Sequence, residues 1–228
     1  MRTIKGGTIA LSLLCLALAG CATSRSELKL TSPTPVAAAG ATKGAVFIRT
    51  VNDQRSFEQA PSDPSIPSLG FEGTAQASAD VKARAIGRKR NGFGKALGDV
   101  LLDDGQTVAA VVRENLAAAF TEAGYKVETD PLAASLPLVI DVDVKEFWAW
   151  FQPGFWAITL NADIVADVRL AGQSTARTLT VHTEDKRQMA TDSAWMEIVQ
   201  QGLKDLRAQA IAARVAEANA TVRLDKTP

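Results

Sequence analysis

The stretch from Leu138 to Arg169 constrains this chain more than any other. Leu138, Ile140, Val142 and Val144 alternate with Val139, Asp141, Asp143 and Lys145. Past Gln152-Pro153-Gly154 the alternation resumes, with Ile158, Leu160, Ala162, Ile164, Ala166 and Val168 set against Asn161, Asp163, Asp167 and Arg169. A period of two is the period of a strand, and the Pro-Gly turn makes the pair a hairpin. Ala171-Gly172-Gln173-Ser174 then turns the chain into a third strand, about Ala176 to Glu184. One apolar face and one charged face predict an antiparallel sheet with one wet side.

The cover for the apolar side is also legible. Val108, Val111, Val112, Leu116 and Phe120 recur at helical spacing between about Gln106 and Ala123, with Arg113, Glu114 and Glu122 on the wet side. Asp103 or Asp104 is expected to cap this helix and Gly124 to stop it. A second helix starts at Thr191 or Asp192, presents Trp195, Ile198, Val199, Leu203, Leu206 and Ala210 inward, and runs to about Ala218. A strand at Ala45–Val51, with Val46 and Ile48 on one face and Phe47 and Val51 on the other, precedes them. A short strand is expected at Tyr125–Thr129. The expected fold is α+β, a two-layer sandwich of one antiparallel sheet and two amphipathic helices.

Residues 56–103 interrupt this plan. Pro61, Pro64 and Pro67 break the first part and Gly87, Gly92, Gly94 and Gly98 the second, so the stretch reads as a basic, Gly/Pro-rich insertion. Short strands fit only around Gly73–Ala79 and Lys82–Ile86.

The N-terminus carries an address. Arg2 and Lys5 precede an apolar run from Ile9 to Leu18, which ends in Leu18-Ala19-Gly20-Cys21. The run is too short for a bilayer span, which takes roughly 20 apolar residues, and its order is that of a secretory signal. The L-A-G-C ending resembles the lipobox of bacterial lipoproteins. That resemblance implies cleavage after residue 20, acyl chains on Cys21, and a mature protein held outside the cytoplasm. Ala22 in place of an aspartate implies the outer membrane, on its periplasmic side. Residues 21–43, rich in Pro, Ser, Thr, Gly and Ala, read as a tether that could stretch to about 65–70 Å. A single domain then spans 44–218, followed by a tail at 219–228.

Composition narrows the chemistry. Cys15 leaves with the signal and Cys21 is acylated, so no thiol remains for a disulfide, zinc site or nucleophile. The single histidine, His182, sits on the wet face of the third strand, and a histidine-based metal site or triad is not expected. Without Arg2 and Lys5 the chain holds 23 basic against 25 acidic groups, a balance unlike that of a nucleic-acid binder. No cofactor is expected beyond the acyl chains.

Several short motifs taken in order also carry a resemblance: the lipobox, Val51-Asn52-Asp53-Gln54-Arg55, Leu69-Gly70, and the helix Val111–Gly124 with its Ala-Gly-Tyr ending. Over residues 44 to 215 the chain resembles the YajG-like lipoproteins. The resemblance implies an envelope protein without catalytic residues, and some relatives are loosely associated with flagellar or envelope assembly.

Two constellations stand out as candidate sites. Phe147, Trp148, Trp150, Phe151, Phe155 and Trp156 crowd ten residues around the Pro-Gly turn in a chain with 8 Phe, 4 Trp and 1 Tyr. Strand period assigns Trp148, Trp150 and Trp156 to the face of Val144, and Phe147, Phe151 and Phe155 to the other. A two-layer fold covers one set only. The other packs under the insertion, meets a protein partner, or meets lipid, which makes Trp148, Trp150, Phe151, Phe155 and Trp156 the partner-binding candidates. The second constellation is Gly87-Arg88-Lys89-Arg90-Asn91-Gly92-Phe93-Gly94-Lys95. It lacks the Ser or Thr of a Walker loop, since Ala96 follows Lys95, but Arg88, Lys89, Arg90 and Lys95 could hold an anionic lipid or glycan. The alternative for both is ordinary: packed rings and a solvated basic turn. Asp141/Asp143 and Asp163/Asp167 read as solvated sheet charges, and Asp53 and Arg55 as a brace for the turn after the first strand.

Overall fold

The computed structural model describes residues 25–37, 40, 42–70, 73–133 and 137–224, with side chains through Ala213. Eight strands form one sheet: β1 (Ser26–Leu28), β2 (Ala45–Asp53), β3 (Ala85–Arg90), β4 (Ala96–Leu102), β5 (Lys126–Glu128), β6 (Leu138–Pro153), β7 (Ile158–Leu170) and β8 (Arg177–Arg187). Among the described residues three α-helices accompany them: α1 (Ala79–Arg84), α2 (Val108–Glu122) and α3 (Asp192–Leu224).

The β6–β7–β8 meander is antiparallel, as its alternation predicts. The sheet as a whole is mixed. β2 runs parallel to both β5 and β6, β1 runs parallel to β4, and β3 meets β6 in parallel at Gly87 and Ala149. The reason lies in the long connections. Each parallel pair is joined by a long stretch of chain, and the connections from β2 to β5 and from β2 to β6 both include α2, whereas the hairpin-joined strands β3–β4, β6–β7 and β7–β8 are antiparallel.

α2 and α3 pack on one face, where Val46, Ile48, Val142, Val144, Leu160, Ile164, Leu116, Trp195 and Leu206 form the main core. All six residues assigned to the inner face of the last helix are buried. Caps differ from expectation in one place. Thr107, not Asp103 or Asp104, caps α2 by accepting from the Ala110 amide at 3.2 Å. Thr191 caps α3 by accepting from Ala194.

Two bulges change the faces read from strict alternation. At Arg49 the pairing steps from Ile48–Ile140 to Thr50–Asp141, which returns Val51 to the core side opposite Val142. At Lys145 it steps from Val144–Ala166 to Glu146–Val165. One extra residue turns every later side chain of β6 over. Phe147, Ala149 and Phe151 therefore lie toward the helices, and Trp148 and Trp150 lie on the opposite face.

That opposite face is covered at one end and wet at the other. Trp148, Trp150, Leu69, Ala85 and Leu101 make a second apolar cluster, closed by Phe57, Ala77 and Val81. The insertion is thus folded, part of it as two strands of the sheet and part as a third layer over it. Its basic half is the β3–β4 hairpin, and its other half lies across the sheet. Over the rest of this face the carboxylates are paired: Asp141 with Arg49 and Thr50, Asp143 with Asn52 and Arg169, Asp167 with Thr178.

Part of the expected tether is also folded. Ser26–Leu28 joins the sheet as β1, and Leu28 and Leu30 are 5% and 2% exposed. From there the chain straps α2: Leu30 exchanges main-chain hydrogen bonds with the Gln106 amide, and Ser32 donates to Glu114.

Candidate functional site

Both sequence-predicted constellations meet at one end of the sheet. The β3–β4 turn (91–95), the β6–β7 turn (154–157) and the β8–α3 connection (188–191) emerge there, beside the start of β1. Between them lies a groove of about 660 Å³. Arg25, Lys89 and Arg90 stand at its wall, and Phe151, Ile158, Leu97, Met189 and Trp195 contribute apolar lining.

The aromatic candidates separate into three groups. Trp148 and Trp150 are 1% and 5% exposed, so they are packing residues and present no surface to a partner. The Lys145 bulge put them under the insertion, where the Trp148 indole N–H donates to the Pro64 carbonyl at 3.1 Å. Phe57 packs edge-on against Trp148. Phe151 is half-buried against the main core. Phe155 and Trp156, in contrast, are 89% and 83% exposed and stack edge to face at 4.8 Å.

The basic candidates are not a free anion loop. Arg88 and Arg90 project onto the insertion side. Arg88 donates to Ser68 Oγ at 3.1 Å and to the Gly70 carbonyl, and Arg90 to the Pro61 carbonyl at 3.0 Å and to Ser68. Burial pushes both guanidinium pKa values down, with Asp99 opposing the shift at Arg88 and the neighbouring Arg88 adding to it at Arg90. The pair holds the 61–70 segment over the sheet, so these side chains are spent on carbonyl oxygens. Lys89 points to the helix side, where it donates to Ser26 Oγ and lies 3.5 Å from Asp192. Lys95 is exposed at the turn. Cys21 lies outside the described residues.

Asp53 and Arg55 do brace the fold. Arg55 donates to both Asp53 carboxylate oxygens and to the carbonyls of Lys82, Ala85 and Phe147. Asp163 Oδ1 accepts from the exposed His182 ring at Nδ1, 2.6 Å away. The pKa of Glu146 is raised, through burial first and the nearby Asp163 second. Among the described residues no group of three or more His, Cys, Asp or Glu is arranged to hold a metal ion.

Sequence reading missed two members of the end face. Phe93 is 99% exposed in the β3–β4 turn, and Met189 is 69% exposed in the β8–α3 connection. A single phenylalanine between glycines and a lone methionine carry no periodic signal, and only the register brings them together. At the far end, α2, α3 and the β7–β8 turn enclose a separate apolar slot of about 310 Å³. Leu116, Phe120, Ile140, Leu170, Ala210 and Ala213 line it. No helix among the described residues is long and apolar enough to cross a membrane.

No protein-family model and no curated protein sequence matches the chain. Solved structures of similar outline include an uncharacterised protein at 13% identity and TM-score 0.42, covering 84% of this chain and 97% of that one. Another is protein XCC0632 of Xanthomonas campestris, from family DUF330, at 10% identity and TM-score 0.45, covering 89% and 99%. A third is a candidate lipoprotein from Caulobacter crescentus CB15 at 13% identity and TM-score 0.28, covering 53% and 85%.

Proposed function

We propose that this chain is a lipid-anchored envelope protein with a non-enzymatic role, bracing an assembly at the periplasmic side of the outer membrane. The resemblance to YajG-like lipoproteins makes a flagellar or other envelope complex the context to test. The observation that carries the reading is the position of β1. The sheet begins at Ser26, so an acylated Cys21 lies five residues from the folded domain. That spacing limits the separation to about 18 Å, because an extended residue spans at most about 3.6 Å. A domain held so close is suited to fix something at the membrane surface rather than to reach across a compartment.

The wet face supports the same reading. Asp141, Asp143, Asp163 and Asp167 each have a cationic or hydrogen-bonding partner, so these carboxylates are engaged in tying the strands together. Arg88 and Arg90 are engaged with Ser68 and with the Gly70 and Pro61 carbonyls, which disfavours an anionic lipid or glycan as their ligand.

The test has two parts. Growth with an alkyne fatty acid should label the wild-type chain and leave Cys21→Ser unlabelled and released from the membrane fraction. A photo-crosslinking residue at Thr180 on β8 or at Lys204 on α3, both exposed, should give a discrete protein adduct in the native envelope. Labelling without any protein adduct would sink the bracing role and leave only the anchor.

A further inference from the structure

Three turns, far apart in the chain, stand level at one end of the molecule. Gly87 pairs with Ala149, so β3 and β6 finish side by side at Arg90 and Pro153. Ile158 pairs with Arg187, which brings the β8–α3 connection to the same height. Each turn carries an outward apolar side chain: Phe93, Phe155 with Trp156, and Met189. Among the described residues six large apolar side chains are exposed. Four are these, and the other two, Val36 and Leu132, lie in the strap over α2 and at the far end. Isolated exposed apolar residues need no explanation, but a cluster drawn from three separate turns does.

The chemistry of the turns is uniform. Asn91-Gly92-Phe93-Gly94-Lys95, Gly154-Phe155-Trp156-Ala157 and Gln188-Met189-Ala190 contain no carboxylate and one lysine. The β6–β7 turn is also tight: a Cβ at Gly154 would collide with the Ala157 carbonyl oxygen, so only glycine lets the chain reverse there.

We infer that this end lies in the headgroup layer of the membrane, with Phe93, Phe155, Trp156 and Met189 at the lipid interface. The inference rests on acylation of Cys21. What selects a bilayer over other covers is where the described chain enters the sheet. β1 runs parallel to β4, with Ser26 beside Val100, and Arg25 bonds to Asp99 at 3.2 Å. Ser26 also borders the groove shared by Lys89, Met189 and Asp192. A lipid on Cys21, within about 18 Å of Ser26, therefore holds this end against the headgroups. The opposite end of β6 is about 50 Å away at a rise of about 3.3 Å per residue. Trp and other amphipathic rings concentrate at such interfaces, and Lys95 suits anionic headgroups. The acyl chains supply the affinity. The aromatic end sets the orientation, standing the strands off the membrane with the apolar slot at the far end facing away.

The experiment uses the full-length, acylated protein in phosphatidylethanolamine/phosphatidylglycerol vesicles carrying lipids brominated near the headgroup. Trp148, Trp150 and Trp195 are buried, so lipid quenching reads Trp156. Its share of the emission is defined by difference from Trp156→Phe. The inference expects Trp156 emission to be blue-shifted and quenched by the brominated lipid, with both effects absent in Trp156→Phe. In Phe93→Ser/Phe155→Ser the quenching should fall several-fold while acylation and thermal unfolding stay as in wild type. Acylated protein whose Trp156 stays at the water-exposed wavelength would overturn the inference and leave the anchor standing. A blue shift without lipid quenching would mean that protein covers the ring, and would overturn it as well. A chain without acyl chains on Cys21 would remove both the inference and the reading on which it rests.

Discussion

Arg55 holds both carboxylate oxygens of Asp53, at 2.8 and 2.7 Å, while its own side chain is 1% exposed. The remaining guanidinium hydrogens reach the carbonyls of Lys82, Ala85 and Phe147, and its Cζ lies over the Phe57 ring, 5.3 Å from the centroid. One side chain thus joins the end of β2, the end of α1, the start of β3 and the middle of β6.

Arg55→Ala should therefore be severe. It strands three carbonyls and leaves Asp53 without its cation, a loss of about 3–5 kcal/mol when one partner of a buried pair is removed. Arg55→Lys should recover little of it, because an ammonium cannot fork to a carboxylate and three carbonyls together. Urea unfolding followed by circular dichroism checks both. A midpoint for Arg55→Ala close to wild type would show that water replaces the guanidinium.

The brace was legible before the structure because Asp-x-Arg directly follows an apolar strand. The helices and the three-strand meander were legible for a similar reason: their periods are long and uninterrupted. The bulges were not. Lys145 is an ordinary residue in an alternating run, and nothing local says that it counts once too often. That single residue exchanged the faces of Trp148 and Phe147. It therefore decided which rings pack beneath the helices and which beneath the insertion. The β3–β4 hairpin was hidden differently. Its glycines read as loop punctuation, whereas Gly87 is there because β6 and Trp195 press on it. The fold of β1 was masked by its neighbours, since three residues amid Pro, Ser and Thr make no periodic signal.

The aromatic hairpin separates cleanly by mutation. Trp148→Ala removes a ring that is 1% exposed, along with its hydrogen bond to Pro64. Large-to-small changes of this kind cost about 3–5 kcal/mol. Phe155→Ala removes a ring that is 89% exposed and should stay within about 0.5 kcal/mol of wild type. Thermal unfolding of the two variants side by side is the check. Equal losses would contradict the buried and exposed assignments together.

Gly87→Ala tests the contact between the hairpin and α3. A Cβ at this position would sit 2.8 Å from the Ala149 carbonyl oxygen and 3.2 Å from a ring carbon of Trp195. The first is backbone and the second is a fully buried indole, so neither yields easily. Overpacking of this kind costs about 1–3 kcal/mol. The expected outcome is a lower Tm together with a changed near-ultraviolet spectrum from Trp195. An unchanged spectrum would mean that β3 moves away from α3 without strain.

Glu146 gives the chain a defined pH dependence. Burial, and then Asp163, raise its pKa above the ordinary 4.5. Between 4.5 and that raised value the folded chain binds more protons than the unfolded chain, so this group's contribution to stability falls as pH rises through the window. Above the window the ionised carboxylate is a net burden, and below it the burden is gone. Asp141, whose pKa is lowered first by its hydrogen bond from Arg49, contributes with the opposite sign. Its effect is common to wild type and variant and cancels in their difference. Glu146→Gln should accordingly raise Tm by about 1–3 °C at pH 7, the shift expected for less than about 1 kcal/mol in a chain of this size. The gain should shrink to nothing as pH drops below 4.5. A gain of the same size at pH 4 and pH 7 would assign it to packing, and a loss at pH 7 would show that the carboxylate is stabilised by a neighbour.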